Sequence, residues 1–336
     1  MGNSTHFGDI SPRTAVFAVR RLLERAQALL VLERFGQFDP QGKKKGLQRK
    51  WRRYNSFAPA TSPLAEGVTP EGQKLTKTDV NVTLEQYGDL AGITDVIEDT
   101  HEDPVLHEAS DVCGEQAAET VELVRISALK AGTNVFYANG VASRSLVTSP
   151  ATKSDFRKIK RAFKRARARE ISKILKASAD VATEPVAPAY FALGHTDCEG
   201  DLRDVTGFLP AEKYADSTKI LPGEIGKIES VRIILTDLFE PWLEAGVSGS
   251  TYLTNGGTGT GNADVYPLLV LAKDAYGIVP LQGNKAIDIG VLNPGTKTKS
   301  DPLGQRGFVS WKTYQACAIL NENNIARLEV AASQNP

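Results

Sequence analysis

A chain of 336 residues is long enough for two domains or one elaborate one with a sizeable core, which excludes a peptide, a coiled-coil rod and a lone small module. Its 41% hydrophobic and 24% charged residues, with 29 Gly and 17 Pro, lie near globular averages and exclude collagen-like, low-complexity and wholly disordered classes. Forty Lys and Arg balance forty Asp and Glu, so the chain as a whole has no electrostatic reason to seek nucleic acid or an anionic membrane.

The start, MGNSTHFGD, carries no apolar core for a signal peptide, and His6 stands where a myristoylation pattern needs Ser or Thr. Residues 13–35 place Val16, Val19, Leu22, Leu23, Ala26, Leu29, Leu30 and Phe35 at helical spacing, which predicts an amphipathic helix. After a Gly-rich break come QRKWRRYNSF at 48–57 and TDVNVTLEQY at 78–87. In the second, Val80, Val82 and Leu84 alternate with Asn81, Thr83 and Glu85 as in a strand. The connection between them, with Pro59, Pro63, Gly67, Pro70 and Gly72, is too long for an ordinary loop and reads as a functional arm or a disordered segment. A two-stranded hairpin alone in water is marginal, so this one should lean on another surface.

Asp103 and Pro104 predict the start of a long helix over 103–131, striped by Leu106, Ala109, Cys113, Ala117, Val121, Val124 and Ala128 and closed by Lys130 and Gly132. A second helix is predicted over 153–178, with Phe156, Ile159, Phe163, Ala166 and Ile174 as a narrow buried stripe and a cationic remainder. After Pro185 the texture changes to short β-rich runs separated by Gly and Pro, so the carboxy-terminal half reads as a mixed sheet and the class as α+β. The longest apolar stretches, such as residues 267–272, fall far short of a membrane span, and no membrane partner is predicted. Cys113, Cys198 and Cys317 are too few and too scattered for a disulfide framework and suit a reducing cytosol.

The balanced charge is strongly segregated. Residues 13–53 hold twelve bases against Glu24, Glu33 and Asp39; residues 79–122 hold thirteen acids and no Lys or Arg; residues 153–176 hold eleven bases against Asp155 and Glu170. Each run alone reads as a solvated face. Together they suggest blocks lying against opposite blocks, within the fold or on a neighbouring molecule, since a block of like charge repels itself.

Signals for chemistry are weak. One His-x-x-Cys pair, His195 with Cys198, and the isolated His101 and His107 do not make a zinc site. No GxSxG, HExxH or Cys-His signature occurs, and the Gly-rich run at 255–262 leads into a strand instead of opening a helix on a phosphate. No metal, cofactor or enzymatic activity is predicted. A nucleic-acid-binding protein using the basic helix 153–176 is the alternative function, with Arg157, Lys160, Lys164 and Arg167 as its DNA-facing candidates.

An amino-terminal helix, an outstretched hairpin, one long helix and a mixed sheet whose last strands return resemble the tailed-phage major capsid fold of the HK-97 type. The runs FAPATSPLAEGVTPEGQKLTKTDVNVTLEQYGDL and DPLGQRGFVSWKTYQACAILNENNIARLEVA are similar to the major coat protein family of the N-4-like phages. The resemblance implies an amino-terminal arm at 1–45, an extended loop at 46–95, a peripheral domain with the spine helix at 96–152, an axial domain at 153–305 and return strands at 306–336. It also implies a coat protein, made in the host cytoplasm, whose copies assemble as pentamers and hexamers into the icosahedral head of a virion. Scaffold, portal or decoration proteins would be partners, and packaged double-stranded DNA a weak, non-specific one. Trp51, Arg52, Arg53 and Tyr54 of the basic strand, with Glu85, Asp89, Glu115 and Glu119 of the acidic block, then become the candidate inter-subunit contacts.

Overall fold

In the computed structural model, the described residues are 30–63, 66–67, 69–100, 105–176, 182–214, 220–248, 251–257, 261–281, 287–297 and 301–334. Most of the amino-terminal helix predicted over 13–35, and Asp103 and Pro104, the predicted start of the long helix, lie outside them. Within 30–35 there is one short 3-10 turn, Leu32–Arg34, followed by strand β1 (Gln37–Phe38).

The chain then forms β2 (Gln48–Tyr54) and β3 (Lys77–Thr83), paired antiparallel from Gln48 opposite Thr83 to Tyr54 opposite Lys77. The strand expected over 78–87 is two strands. It breaks at Leu84, whose side chain is buried beside Val279 and Ala316 and whose N–H donates to Leu47 O at 2.8 Å. Past that anchor, β4 (Glu85–Thr94) leaves the ribbon and pairs along β14 (Arg306–Ile319).

After α1 (Asp95–Thr100) comes α2 (Val105–Lys130), 26 residues and about 39 Å long at 1.5 Å per residue. The small residues Ala117 and Ala118 let α2 sit close on Ile93, Val309 and Trp311 of the sheet. The buried stripe differs from the expected one: Val124 and Ala128 are half-buried, while Glu122, Arg125, Ile126 and Leu129 face inward. After β5 (Val135–Tyr137), α3 (Lys153–Arg165) begins with a capping box between Thr152 and Asp155.

The helix expected to reach 178 ends at Arg165. Arg167 adopts φ 57°; its N–H donates to Lys164 O and that of Ala168 to Phe163 O, which is a Schellman stop. Residues 171–176 are β6 (Ile171–Lys176), hydrogen-bonded to β7 (Ala182–Gly194), so Ile174 is a strand residue. The remaining elements are α4 (Glu199–Asp204), β8 (Phe208–Pro210), β9 (Glu224–Ile228), β10 (Val231–Leu235), β11 (Tyr266–Leu271), β12 (Tyr276–Pro280), β13 (Asp288–Leu292) and β15 (Ile325–Val330).

Eight strands form one sheet in the order β5-β15-β11-β7-β10-β9-β8, with β6 also on β7. Its central strands, β10, β11, β15 and the second half of β7, are buried on both faces, which is why they read as nearly continuous apolar runs. Tyr190, Ala192, Leu268 and Val270 meet Phe156, Ile159 and Phe163 of α3. Phe191, Leu193, Leu269 and Leu271 meet Phe35, Ile126 and Leu129. The five-stranded sheet runs β1-β12-β14-β13, with β4 also on β14. Thus β12 and β13, within 153–305, share a sheet with β14, and β15, within 306–336, pairs with β11. The two crossings between sheets are tied together: Ala272 N–H donates to Asn324 O at 2.8 Å and Leu320 N–H to Ala275 O at 2.9 Å. Among the described residues no helix is long and apolar enough to cross a membrane, and no group of three ligand-type side chains could hold a metal. Cys198, of the one His-x-x-Cys pair, is a core residue whose thiol burial pushes up, and all three cysteines are free.

Candidate assembly surfaces

The β2–β3 ribbon touches the body only at its base. Arg49 donates to both Asp39 oxygens, at 2.8 and 2.5 Å, and Trp51 lays its ring where a Cβ on Gly277 would stand, 2.5 Å away. Glycine at 277 is what lets the indole lie on β12. The same half-buried face carries Val80 and Val82. On the other face Arg52 donates to Asp79 at 2.9 Å, with Lys50 and Lys77 each 3.7 Å from that carboxylate. The hydrogen bond from Arg52 holds Asp79 below the usual carboxylate range. Beyond Trp51 every described residue from Arg52 to Thr78 is exposed, including Tyr54 (56%), Phe57 (53%) and Leu75 (55%).

Of the four basic-strand candidates, Trp51 and Arg52 therefore find partners on their own chain, while Arg53 and Tyr54 stay exposed. Sequence reasoning had put the partners of Trp51 and Arg52 on another subunit. The missing Cβ at Gly277 and the cross-strand register of Arg52 with Asp79 bring them home.

The acidic candidates gather along β4 and α2. Glu85 accepts from Tyr87 Oη at 2.7 Å, which pushes the phenol up to about 12. Asp89 accepts from Gln116 Nε2 at 2.7 Å, a bond that holds it below the usual carboxylate range, and Gln116 Oε1 accepts from Trp311 Nε1 at 3.0 Å. Glu115 is half-buried and Glu119 exposed on α2.

The sheet of β4, β14 and β13 has α2 on one side only. Its other side presents Gly88, Leu90 (66% exposed) and Gly92 of β4, and Phe308 (37%), Ser310 and Lys312 of β14. Gly88, Gly290 and Ser310 help line an open hollow of about 420 Å³, together with Lys312 and Asp288, which pair at 3.3 Å. Exposed leucine and phenylalanine around a glycine-lined trough make a surface suited to burial by another element.

On α3, Arg157 and Lys160 face Glu229 at 2.6 and 3.5 Å, and Lys164 is exposed on the same side. Arg167 does not join them, because the helix has already stopped. Arg161 and Arg165 complete that face instead.

Sequence reasoning missed the buried polar junction under the amino-terminal segment. Glu122, fully buried, accepts from the N–H of Val31 at 3.0 Å and of Leu32 at 2.7 Å. Arg125 lies 3.7 Å from Glu122 and 3.9 Å from Glu33, and donates to Gln315. Tyr276 Oη donates to Leu32 O. Burial pushes the Glu122 carboxyl above its usual range. The signal was present: Glu122 falls in line with Ala118, Ile126 and Leu129, an acid inside an apolar stripe. The Gly-rich run that sequence analysis set aside is anchored by Asp264, fully buried, which accepts from the N–H groups of Asn255 and Gly256.

A profile of the phage capsid protein family matches residues 77–327. The major capsid protein of Pseudomonas phage KPP21 is 29% identical over 130 residues, covering 37% of this chain and 33% of that protein, so the match spans about a third of its relative. Among solved structures, the capsid of Ralstonia phage GP4 superposes with a TM-score of 0.62 at 12% identity, covering 90% of each chain. The Cyanophage Pam1 capsid gives 0.60 at 13% identity, over 99% of this chain and 96% of the other. The head of Helicobacter pylori bacteriophage KHP40 gives 0.59 at 11%, over 88% and 87%.

Proposed function

This chain belongs to the phage capsid protein family and has the HK-97-type fold, and from that premise we propose that its copies tile as pentamers and hexamers into the icosahedral head enclosing a phage genome. The role is structural, and the protein resides in the virion after synthesis in the host cytoplasm. The narrower affinity with the N-4-like phages rests on the two sequence segments quoted above.

One observation carries the reading: a ribbon and its tip, residues 52–78, whose described side chains lie exposed and whose large members Tyr54, Phe57 and Leu75 each leave more than half of their surface open. A marginal two-stranded ribbon gains its missing contacts on a second copy. The open face of β4, β14 and β13, with Leu90 and Phe308, is the surface of matching character. Glu85, Glu115 and Glu119 lie on the opposite, α2-bearing side of that sheet, so Arg53 would meet them on a further neighbouring copy, and such exposed charge pairs set register more than strength. The extended loop at 46–95, the spine-helix segment at 96–152, the axial segment at 153–305 and the return at 306–336 follow the same reading, as do scaffold, portal or decoration proteins as further partners.

Electron microscopy of the purified chain, alone and with co-expressed head proteins, tests it. Shells or capsomers are expected. A monodisperse monomer under every assembly condition would contradict the proposal.

A further inference from the structure

The exposed side of α3 is cationic without interruption. Arg157, Lys160, Arg161, Lys164 and Arg165 recur at intervals of three and four, so they share one face over about 12 Å of helix axis and line an open hollow of about 410 Å³. Glu229, in the turn between β9 and β10, is the one carboxylate in that lining. It accepts from Arg157 Nε at 2.6 Å and stands 3.5 Å from Lys160 Nζ, and the hydrogen bond from Arg157 holds it below the usual carboxylate range. Arg161, Lys164 and Arg165 have no ion partner among the described residues. The face is firmly seated, because the capping box fixes the start of α3 and Phe156, Ile159 and Phe163 bury its other side.

What this surface accepts follows from what it lacks. A protein partner engages an apolar or aromatic centre and leaves charges to the rim. Between 153 and 165 no large hydrophobic side chain is exposed. A phosphate backbone asks only for cations and is indifferent to sequence. About 12 Å of duplex offers roughly seven phosphates, at one charge per 1.7 Å of axis, which exceeds the five cations here.

We propose that the 157–165 face of α3 is a sequence-blind contact for the phosphate backbone of double-stranded DNA, and that Glu229 attenuates it by engaging Arg157 and Lys160. The choice of DNA as the polyanion rests on the capsid reading, while the charge geometry does not. Attenuation has a physical purpose: a container that must release its contents is served by cations partly held by an internal carboxylate, since each free cation deepens binding and its salt dependence.

Fluorescence anisotropy of the full chain with short labelled duplexes of two unrelated sequences, over a range of salt, tests this. Both duplexes bind alike. Replacing Arg161→Ala together with Lys164→Ala lowers the slope of log affinity against log salt by about 2, one for each cation removed. Glu229→Gln tightens binding and steepens the slope. Unchanged slopes in both variants overturn the proposal, as does stronger competition by polyglutamate than by unlabelled duplex, which would assign the face to an acidic protein. Micrographs of the same preparations keep the two readings apart. Missing shells with the slope changes intact count against the capsid role alone, and normal shells with unchanged slopes count against the DNA face alone.

Discussion

The eight-stranded sheet and the β2–β3 ribbon are both β-structure of one chain, held by different means. In the sheet, alternate residues of β7 enter two separate cores, Tyr190 and Ala192 beneath α3, Phe191 and Leu193 beneath the 31–35 segment and α2. The ribbon has a full backbone ladder from Gln48 to Tyr54 but apolar side-chain cover only at Trp51, Val80, Val82 and the Leu84 anchor. Hydrogen bonds common to both cannot account for the difference, because each contributes only about 0.5–1.5 kcal/mol net. The sheet completes its energetics inside the molecule, whereas the far half of the ribbon and its tip display Tyr54, Phe57 and Leu75 outward. Folding and assembly therefore draw on different residues, and substitutions should separate them.

The largest effect is expected in the sheet. Phe191→Ala empties a fully buried site whose ring centroid lies 4.5 Å from that of Phe35, and should cost about 3–5 kcal/mol in denaturant unfolding of the unassembled chain. Next comes the junction between body and amino-terminal segment. Glu122→Ala strands the N–H groups of Val31 and Leu32 and leaves Arg125 buried without its nearest carboxylate, a loss of about 3 kcal/mol. Titration distinguishes the two regions by sign. Glu122, raised by burial, binds its proton more tightly in the native state, so its contribution is fullest in acid and is lost as pH rises through the raised value. Asp79, lowered by Arg52, contributes above the ordinary carboxylate range and is lost as pH falls through the lowered value. Carboxylate titration by NMR should find these opposite displacements; displacements in one direction would break the contrast.

A smaller effect is expected at the seam. Gly277→Ala drives a Cβ to 2.5 Å from the Trp51 ring and should cost about 1–3 kcal/mol, with a fluorescence change as the indole leaves β12. Smallest for the fold is the ribbon itself. Arg53→Ala with Tyr54→Ala should stay within about 0.5 kcal/mol of the parent in unfolding, yet reduce shell yield in sedimentation. Strong destabilisation of the lone subunit by that pair would place the ribbon's energetics inside the molecule after all.

Much of this division was legible in the sequence. The α2 helix announced itself through a stripe at helical spacing behind Asp103 and Pro104, and the ribbon through the alternation of residues 80–85 after a long Pro- and Gly-bearing connection. The end of α3 was not legible, because KRARAREISKIL contains no Gly or Pro and the stop depends on Arg167 accepting a left-handed φ, which side chains rarely do. Periodicity alone carried the predicted stripe onward to Ile174, where a strand has its own alternation. For the candidate contacts, residue type located the basic and acidic blocks. It could not reveal that Gly277 makes room for Trp51, since that approach joins segments more than two hundred positions apart. Glu122 was counted with the solvent-facing acids because charge outweighed its place in the apolar stripe.

Hydrogen exchange of residues 55–63 and 69–76, compared between the isolated subunit and assembled particles, tests the central claim most directly. The account predicts near-unprotected exchange in the lone chain and strong protection after assembly, with the eight-stranded sheet protected in both. Protection already complete in the isolated subunit, or none gained in the particle, would contradict it.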